Sequence, residues 1–354
     1  MTFERDNIRR MSGYVSGEQP DDARTIKLNT NENPYPPSSA VSDVLAGIDP
    51  AALRRYPPAT GAKFREIAAR LHGLEIDNVI ATRGGDELLR LVITTFVDPG
   101  QLIGVTDPTY SLYPVLAQVQ DCPLKRVPLI DGWHLPADFT EQMNDAQVRL
   151  TLLVNPHAPS GQLLPIDTVR QLAGRLDSIL LLDEAYIDFV DHPYDTIALV
   201  QDHENVIILR TLSKGYSLAG LRFGYGLGAA SLIEPMLTKT RDSYNLDLIS
   251  QLIAEAALSD QASARQSWQK VIAERGRLLL ELEALGFAGK PSQTNFLLVT
   301  VPAGQDAETL YGALKQRHIL VRYFASPGLD DKLRISVGTH DENTRLISTL
   351  REIL

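Results

Sequence analysis

Four short apolar runs constrain this chain more than any other feature: "LIGVTD" (102–107), "LTLLVN" (150–155), "ILLLDE" (179–184) and "VIILRT" (206–211). Each has the length of a strand, and none alternates apolar with polar residues. A strand with one wet face alternates; a strand covered on both faces has no reason to. Between the second and third runs, Ile166, Val169, Leu172, Ala173 and Leu176 recur every three or four positions, which marks one side of a helix. Dry strands separated by helices predict an α/β fold: a mostly parallel central sheet with helices on both faces.

The 354 residues suffice for one large domain and a smaller one. Residues 1–37 read as an extended N-terminal arm, because "NTNENPYPPSS" is rich in Asn and Pro, which favour turns and block helix. "RRYPPATG" (54–61) is a second break, followed by a helix pattern from Lys63 to His72. After "RGGDE" a helix is predicted from about Asp86 to Phe96. The large domain is placed at 38–246. Residues 247–354 read as a small α+β domain: helices over 249–285, then "TNFLLVTV", a helix near Ala307 to Arg317, "ILVRYF", "KLRISVG" and a last helix from about Asp341.

Bulk properties narrow the partners. A formal charge of −10 argues against nucleic acid, which needs a basic face, but allows a local basic pocket for a small anion. "MTFERDNIRR" has no apolar signal core, and no stretch approaches the ~18 apolar residues of a membrane span. A cytoplasmic protein is expected. The single cysteine, Cys122, cannot form an intrachain disulfide and reads as a small core hydrophobe. Seven scattered histidines without H-E-x-x-H predict no metal site. There is no G-x-S-x-G elbow, and "GYGLG" (224–228) reads as a close-packed strand, not a nucleotide loop.

In open α/β sheets, ligands bind outside the carboxyl ends of the strands. Three polar residues follow apolar runs there: Asn155, Asp183 and Lys214. Each alone could merely cap a helix or start a turn. Lys214 sits in "RTLSKGYSLAGLR", where a buried strand gives way to a loop. A lysine there can form an imine with an aldehyde once desolvation and nearby cations depress its pKa from ~10.4. An aspartate in the same site can hold a pyridine nitrogen protonated, and that pairing marks a pyridoxal phosphate site. A phosphate cradle is available in the backbone of Gly85 and Asp86 at a helix start, the hydroxyls of Thr211 and Ser213, and the planar fork of Arg222.

On "YVSGE", "LNTNENPYPPS", "RYPPATG", "RGGDELL", "DPTYSLY", "LLLDEAYIDF", "RTLSKGYSLAGLRFGYGLG" and "LRISVG", the chain resembles the fold-type I pyridoxal phosphate aminotransferases, most closely the histidinol-phosphate aminotransferase branch. The resemblance runs nearly end to end. It implies pyridoxal 5'-phosphate as cofactor, with Lys214 as the Schiff-base lysine and proton carrier. Asp183 would face the pyridinium nitrogen, Tyr186 the ring hydroxyl oxygen, and Tyr110 the ring face. Gly85, Asp86, Thr211, Ser213 and Arg222 would hold the phosphate. Tyr56 would reach the phosphate in the partner subunit, which implies a homodimer with shared sites. Tyr14 and Asn33 resemble substrate-side residues. Arg334, opposite in side-chain direction to Leu333 and Ile335 along its strand, would bind the substrate's anionic end, and Arg322 could add a second positive charge or be a salt-bridged strand residue.

The implied activity is transfer of an amino group from a histidinol-phosphate-like or aromatic donor to a 2-oxo acid such as 2-oxoglutarate. A decarboxylase of the threonine-phosphate type and a binding protein without turnover are the alternatives. One departure bears on this. The family's Asn-Pro-Thr-Gly is replaced by "NPHAPSG", which puts Ala158 where an asparagine would bond the cofactor's ring oxygen. Its loss is expected to weaken cofactor binding or alter imine protonation, unless His157, Asn155 or a water substitutes. "SYN" (243–245) likewise replaces the common Pro-Tyr-Asn.

Overall fold

A computed structural model describes residues 3–20, 22 and 24–354. Its strands are β1 Ile26–Lys27, β2 Val79–Thr82, β3 Ile103–Asp107, β4 Leu124–Pro128, β5 Leu150–Val154, β6 Ile179–Asp183, β7 Val206–Thr211, β8 Gly224–Gly228, β9 Ala288–Gly289, β10 Phe296–Thr300, β11 Ile319–Leu320, β12 Arg322–Tyr323 and β13 Lys332–Ser336. Seven of them form one sheet in the order β2-β8-β7-β6-β5-β3-β4. All neighbours in it pair parallel except β8, which runs antiparallel to both β2 and β7. The fold is therefore the expected α/β architecture.

The four apolar runs are β3, β5, β6 and β7, side by side at the centre. Their successive residues feed opposite cores. Leu153, Leu180, Leu182, Val206 and Ile208 join a core with Phe64 and Phe223. Leu152, Val154, Leu181, Ile207 and Leu209 join another with Leu88 and Tyr113. Helices cover both faces, so these four strands are buried apart from exposed Asp107 and half-buried Arg210, and the polarity never alternates. β8, the "GYGLG" segment, is buried throughout.

A second sheet, in the order β12-β13-β10-β9, is antiparallel and packs on a third core that includes Leu278, Leu314, Leu333 and Leu346. Packing crosses both expected boundaries. Leu28 of the arm is buried in that third core. Helix Leu248–Ser259 sends Ile253, Ala254, Ala257 and Leu258 into the first. The arm, expected to be extended, also contains a short helix, Asp6–Arg9, and β1, which pairs parallel with β11. Pairing Ile26 with Ile319 carries residues 28–33 across the carboxyl edge of the large sheet, toward Lys214. Among the described residues, no helix is long and apolar enough to cross a membrane.

Candidate active site

A cavity of about 470 Å³ opens at the carboxyl ends of β5, β6 and β7. Tyr14, Gly85, Asp86, Tyr110, Asp183, Tyr186, Thr211, Ser213, Lys214, Arg222, Arg322 and Arg334 all line it, though they come from parts of the chain far apart in sequence. Asn33 and Tyr56 do not. Asn33 lies behind the wall, where its amide donates to the Gly215 carbonyl at 3.3 Å and to Ser267 Oγ at 3.1 Å. Tyr56 is 81% exposed and stacks on Tyr244 with ring centroids 4.4 Å apart.

Lys214 follows β7 by three residues and donates to the Thr30 carbonyl at 2.9 Å. Burial, aided by the cations of Arg334, Arg222 and Lys27, pushes its amine down to about 8, with Glu32 opposing. At neutral pH roughly a tenth of such amines are neutral, against well under a thousandth for a free lysine.

Asp183 is the last residue of β6 and points into the cavity. Its neighbour Glu184 faces the other way and pairs with Arg210 at 2.7 Å, as strand alternation requires. Burial pushes the Asp183 carboxyl up to about 6. Two donors hold it from rising further: Tyr113 Oη at 2.9 Å and the Ala185 N–H at 3.1 Å. The group is thus mostly ionised at pH 7 and ready to face a cation.

The helix after β2 runs Gly84–Phe96, two residues longer than the sequence suggests at its start. The N–H groups of Gly85 and Asp86 therefore lie in its first turn, without intrahelical acceptors and at the positive end of the helix dipole. Arg222 closes over them: its guanidinium reaches Asp86 Oδ2 at 3.3 Å. Thr211 and Ser213 bracket the same corner, with the Ser213 N–H donating to Thr211 Oγ1 at 3.1 Å. Tyr110 stands edge-on to Tyr113 at 5.5 Å and to Tyr14 at 6.3 Å.

At the other end of the cavity, Arg334 on β13 sits directly opposite Arg322 on β12. Like charges in that register repel. Neither has a carboxylate partner among the described residues. Arg334 instead donates to the Asn29 carbonyl at 3.0 Å and lies over the Phe296 and Phe324 rings at 5.2 and 5.5 Å. Its Nε is buried with no hydrogen-bond partner there. Two adjacent uncompensated guanidiniums beside a cavity suit a multivalent anion.

Sequence reasoning missed Tyr113, Asn31 and Ser336. Tyr113 lies three positions after Tyr110 in the quoted "DPTYSLY", so one helical turn of spacing could have found it. Asn31 donates to Tyr186 Oη at 3.0 Å and accepts from Ser336 Oγ at 3.1 Å. Ala158 lines the cavity and brings no polar atom. Neither of the two side chains expected to substitute, His157 and Asn155, is free to replace an asparagine there. His157 engages Ser160 Oγ at 2.8 Å and the Pro108 carbonyl at 3.1 Å, and burial holds its imidazole down at about 4. Asn155 donates to Tyr194 Oη at 2.8 Å and accepts from the Leu164 N–H at 2.9 Å.

Residues 23–350 match the sequence profile of the family described as aminotransferase class I and II. The chain belongs to the class I and II aminotransferases. This aminotransferase is 44% identical over 353 residues, 99% of each chain, to histidinol-phosphate aminotransferase 1 of Trichormus variabilis. It is 42% identical over 351 residues to the histidinol-phosphate aminotransferase of Geotalea uraniireducens, again 99% of each chain. Its fold superposes on the Sinorhizobium meliloti histidinol-phosphate aminotransferase, solved in complex with pyridoxal-5'-phosphate, with a TM-score of 0.89 at 24% identity, covering 100% of this chain and 99% of that one. The L-threonine-O-3-phosphate decarboxylase of Porphyromonas gingivalis shares the fold with a TM-score of 0.80 at 20% identity, covering 93% and 99%.

The family's cofactor is pyridoxal 5'-phosphate. The side chains of this aminotransferase fit it. One cavity gathers a depressed lysine amine, a buried carboxylate with no cationic partner among the described residues, a helix start with an arginine beside it, and an aromatic wall.

Proposed function

We propose that this aminotransferase takes an amino group from histidinol phosphate, or a donor like it, and passes it to a 2-oxo acid such as 2-oxoglutarate. The observation that carries the donor assignment is the pair Arg334 and Arg322, adjacent, uncompensated and facing the cavity that holds Lys214. A phosphate carries more charge and more acceptor oxygens than a carboxylate, and two guanidiniums suit it better than one. The relatives at 44% and 42% identity carry the histidinol-phosphate aminotransferase name.

In this reading Asp183 holds the cofactor's ring nitrogen protonated, and the Gly85 and Asp86 N–H groups, Thr211, Ser213 and Arg222 hold its phosphate. The bound cofactor supplies an electron-withdrawing ring that acidifies the substrate's α-carbon. Lys214 Nζ accepts the α-carbon proton, which its depressed pKa permits near neutrality. Tyr110 would cover one ring face, and Tyr186 would donate to the ring oxygen. Tyr14 borders the donor's path, while Asn33 steadies the Lys214 loop through the Gly215 carbonyl. Tyr56, exposed in one protomer and propped by Tyr244, reaches a second protomer's site in a homodimer.

Purified protein incubated with histidinol phosphate and 2-oxoglutarate should form glutamate and show the cofactor's visible band. Carbon dioxide release from threonine phosphate without glutamate would favour the decarboxylase. Bound cofactor with no product from any amine would favour a binding protein. Either result would refute the proposal.

A further inference from the structure

Ala158 brings no amide to the cavity, and the structure shows a hydrogen-bond relay that ends at Tyr186 on the same cavity. The relay starts at the arm. The Asn31 N–H donates to Ser336 Oγ at 2.9 Å, so the hydroxyl proton of Ser336 is free to go to Asn31 Oδ1, 3.1 Å away. That fixes which way the Asn31 amide points. Its Nδ2 must then donate to Tyr186 Oη at 3.0 Å. An oxygen already accepting there turns its own proton elsewhere. Tyr186 donates to no other group among the described residues, and both it and Asn31 line the cavity alongside Ala158.

The relay is held rigidly. Asn31, Ser336 and Tyr186 are all buried. Asn31 sits at φ 57°, a left-handed backbone that asparagine adopts more readily than most residues. Its carbonyl accepts from Asn295 Nδ2 at 2.8 Å, and Tyr186 rests edge-on against Phe296 at 5.2 Å. The Ser336 N–H is spent on the Leu28 carbonyl at 2.9 Å, so strand β13 and the arm position each other.

We propose that Asn31 is a positioning residue that takes over the task of the amide missing at 158: it commits the Tyr186 proton to the cofactor's ring oxygen. This rests on the reading of the cavity given above. A committed donor stabilises negative charge on that oxygen and so lowers the pH at which the bound cofactor gives up its titratable proton.

The test is the pH titration of the visible band of the cofactor-loaded protein, together with cofactor affinity. Asn31→Asp keeps the shape of the side chain but accepts where the amide donated, so Tyr186 turns its proton to it. The midpoint should rise by about one pH unit, the scale of a hydrogen bond to a charged oxygen. Ser336→Ala frees the amide to flip and should give a smaller rise. In a Tyr186→Phe background, Asn31→Asp should add little; a bare charge effect would persist there in full. Ala158→Asn should return the Asn31→Asp midpoint toward that of the wild type. Wild-type midpoints in both single variants, or an undiminished shift in the Phe background, would overturn the relay. No visible band in the wild type would instead sink the reading of the site itself.

Discussion

Replacing Lys214 by methionine should stabilise the cofactor-free protein at pH 7. The folded amine titrates at about 8, against 10.5 for an ordinary lysine, a difference of 10.5 − 8 = 2.5. At ~1.36 kcal/mol per unit, the charged form is disfavoured by at most about 3.4 kcal/mol. Solvent in the open cavity screens part of that. The lost hydrogen bond to the Thr30 carbonyl removes about 1 kcal/mol more. A net gain of about 1–2 kcal/mol remains. Because the folded pKa lies below the unfolded one, the penalty is present in full below about 8. It shrinks as the unfolded chain also loses its proton toward 10.5. Thermal melts of cofactor-free wild type and variant at pH 7 and pH 10 would read this. With ~2.1 cal/mol/K of unfolding entropy per residue, the expected shift is about 2 °C at pH 7, and less than half of that at pH 10. A variant melting at or below the wild type at pH 7 would refute the argument. So would an undiminished advantage at pH 10, since packing, unlike charge, does not titrate. The same variant should capture no cofactor.

Gly215→Ala should cost about 1–3 kcal/mol, because an added Cβ would come within 2.6 Å of the Asp188 carboxyl carbon in a buried corner. The strain lies next to Lys214, so the visible band of the loaded protein should weaken together with the melting temperature; unchanged values for both would show that this corner yields. Tyr113→Phe removes a donor from Asp183 Oδ2, so the carboxyl should rise further above about 6 and be less ionised at neutral pH. Cofactor affinity should fall several-fold at pH 7 and recover by pH 8.5, and a loss independent of pH would argue against an electrostatic role for Tyr113.

The relation between chain and fold is clearest at the sheet. The runs that became β3, β5, β6 and β7 were legible because burial on both faces leaves a local mark, a stretch with no polar positions. The helices between them announced themselves by their period. The candidate site was half legible for the same reason. A polar residue at the end of such a run or just beyond it, as Asp183 and Lys214 are, stands at the sheet's carboxyl edge wherever the rest of the chain goes. The resemblance supplied roles for residues that no local pattern singles out, such as Arg334 and Tyr110.

Partners far apart in sequence left no such mark. Asn31 finds Ser336 across 305 positions and Tyr186 across 155, and nothing in "NTNENP" encodes either meeting. Whether His157 or Asn155 could replace an amide at 158 turned on hydrogen bonds that both had already made within the fold. Arg322 and Arg334 read singly as strand residues, and only the β12–β13 register sets them opposite each other. Hydrophobic period is a property of neighbours along the chain, so composition and order decide it. Hydrogen-bond direction, charge compensation and the pKa of a buried amine depend on what folding brings within a few ångströms, and those were decided in three dimensions.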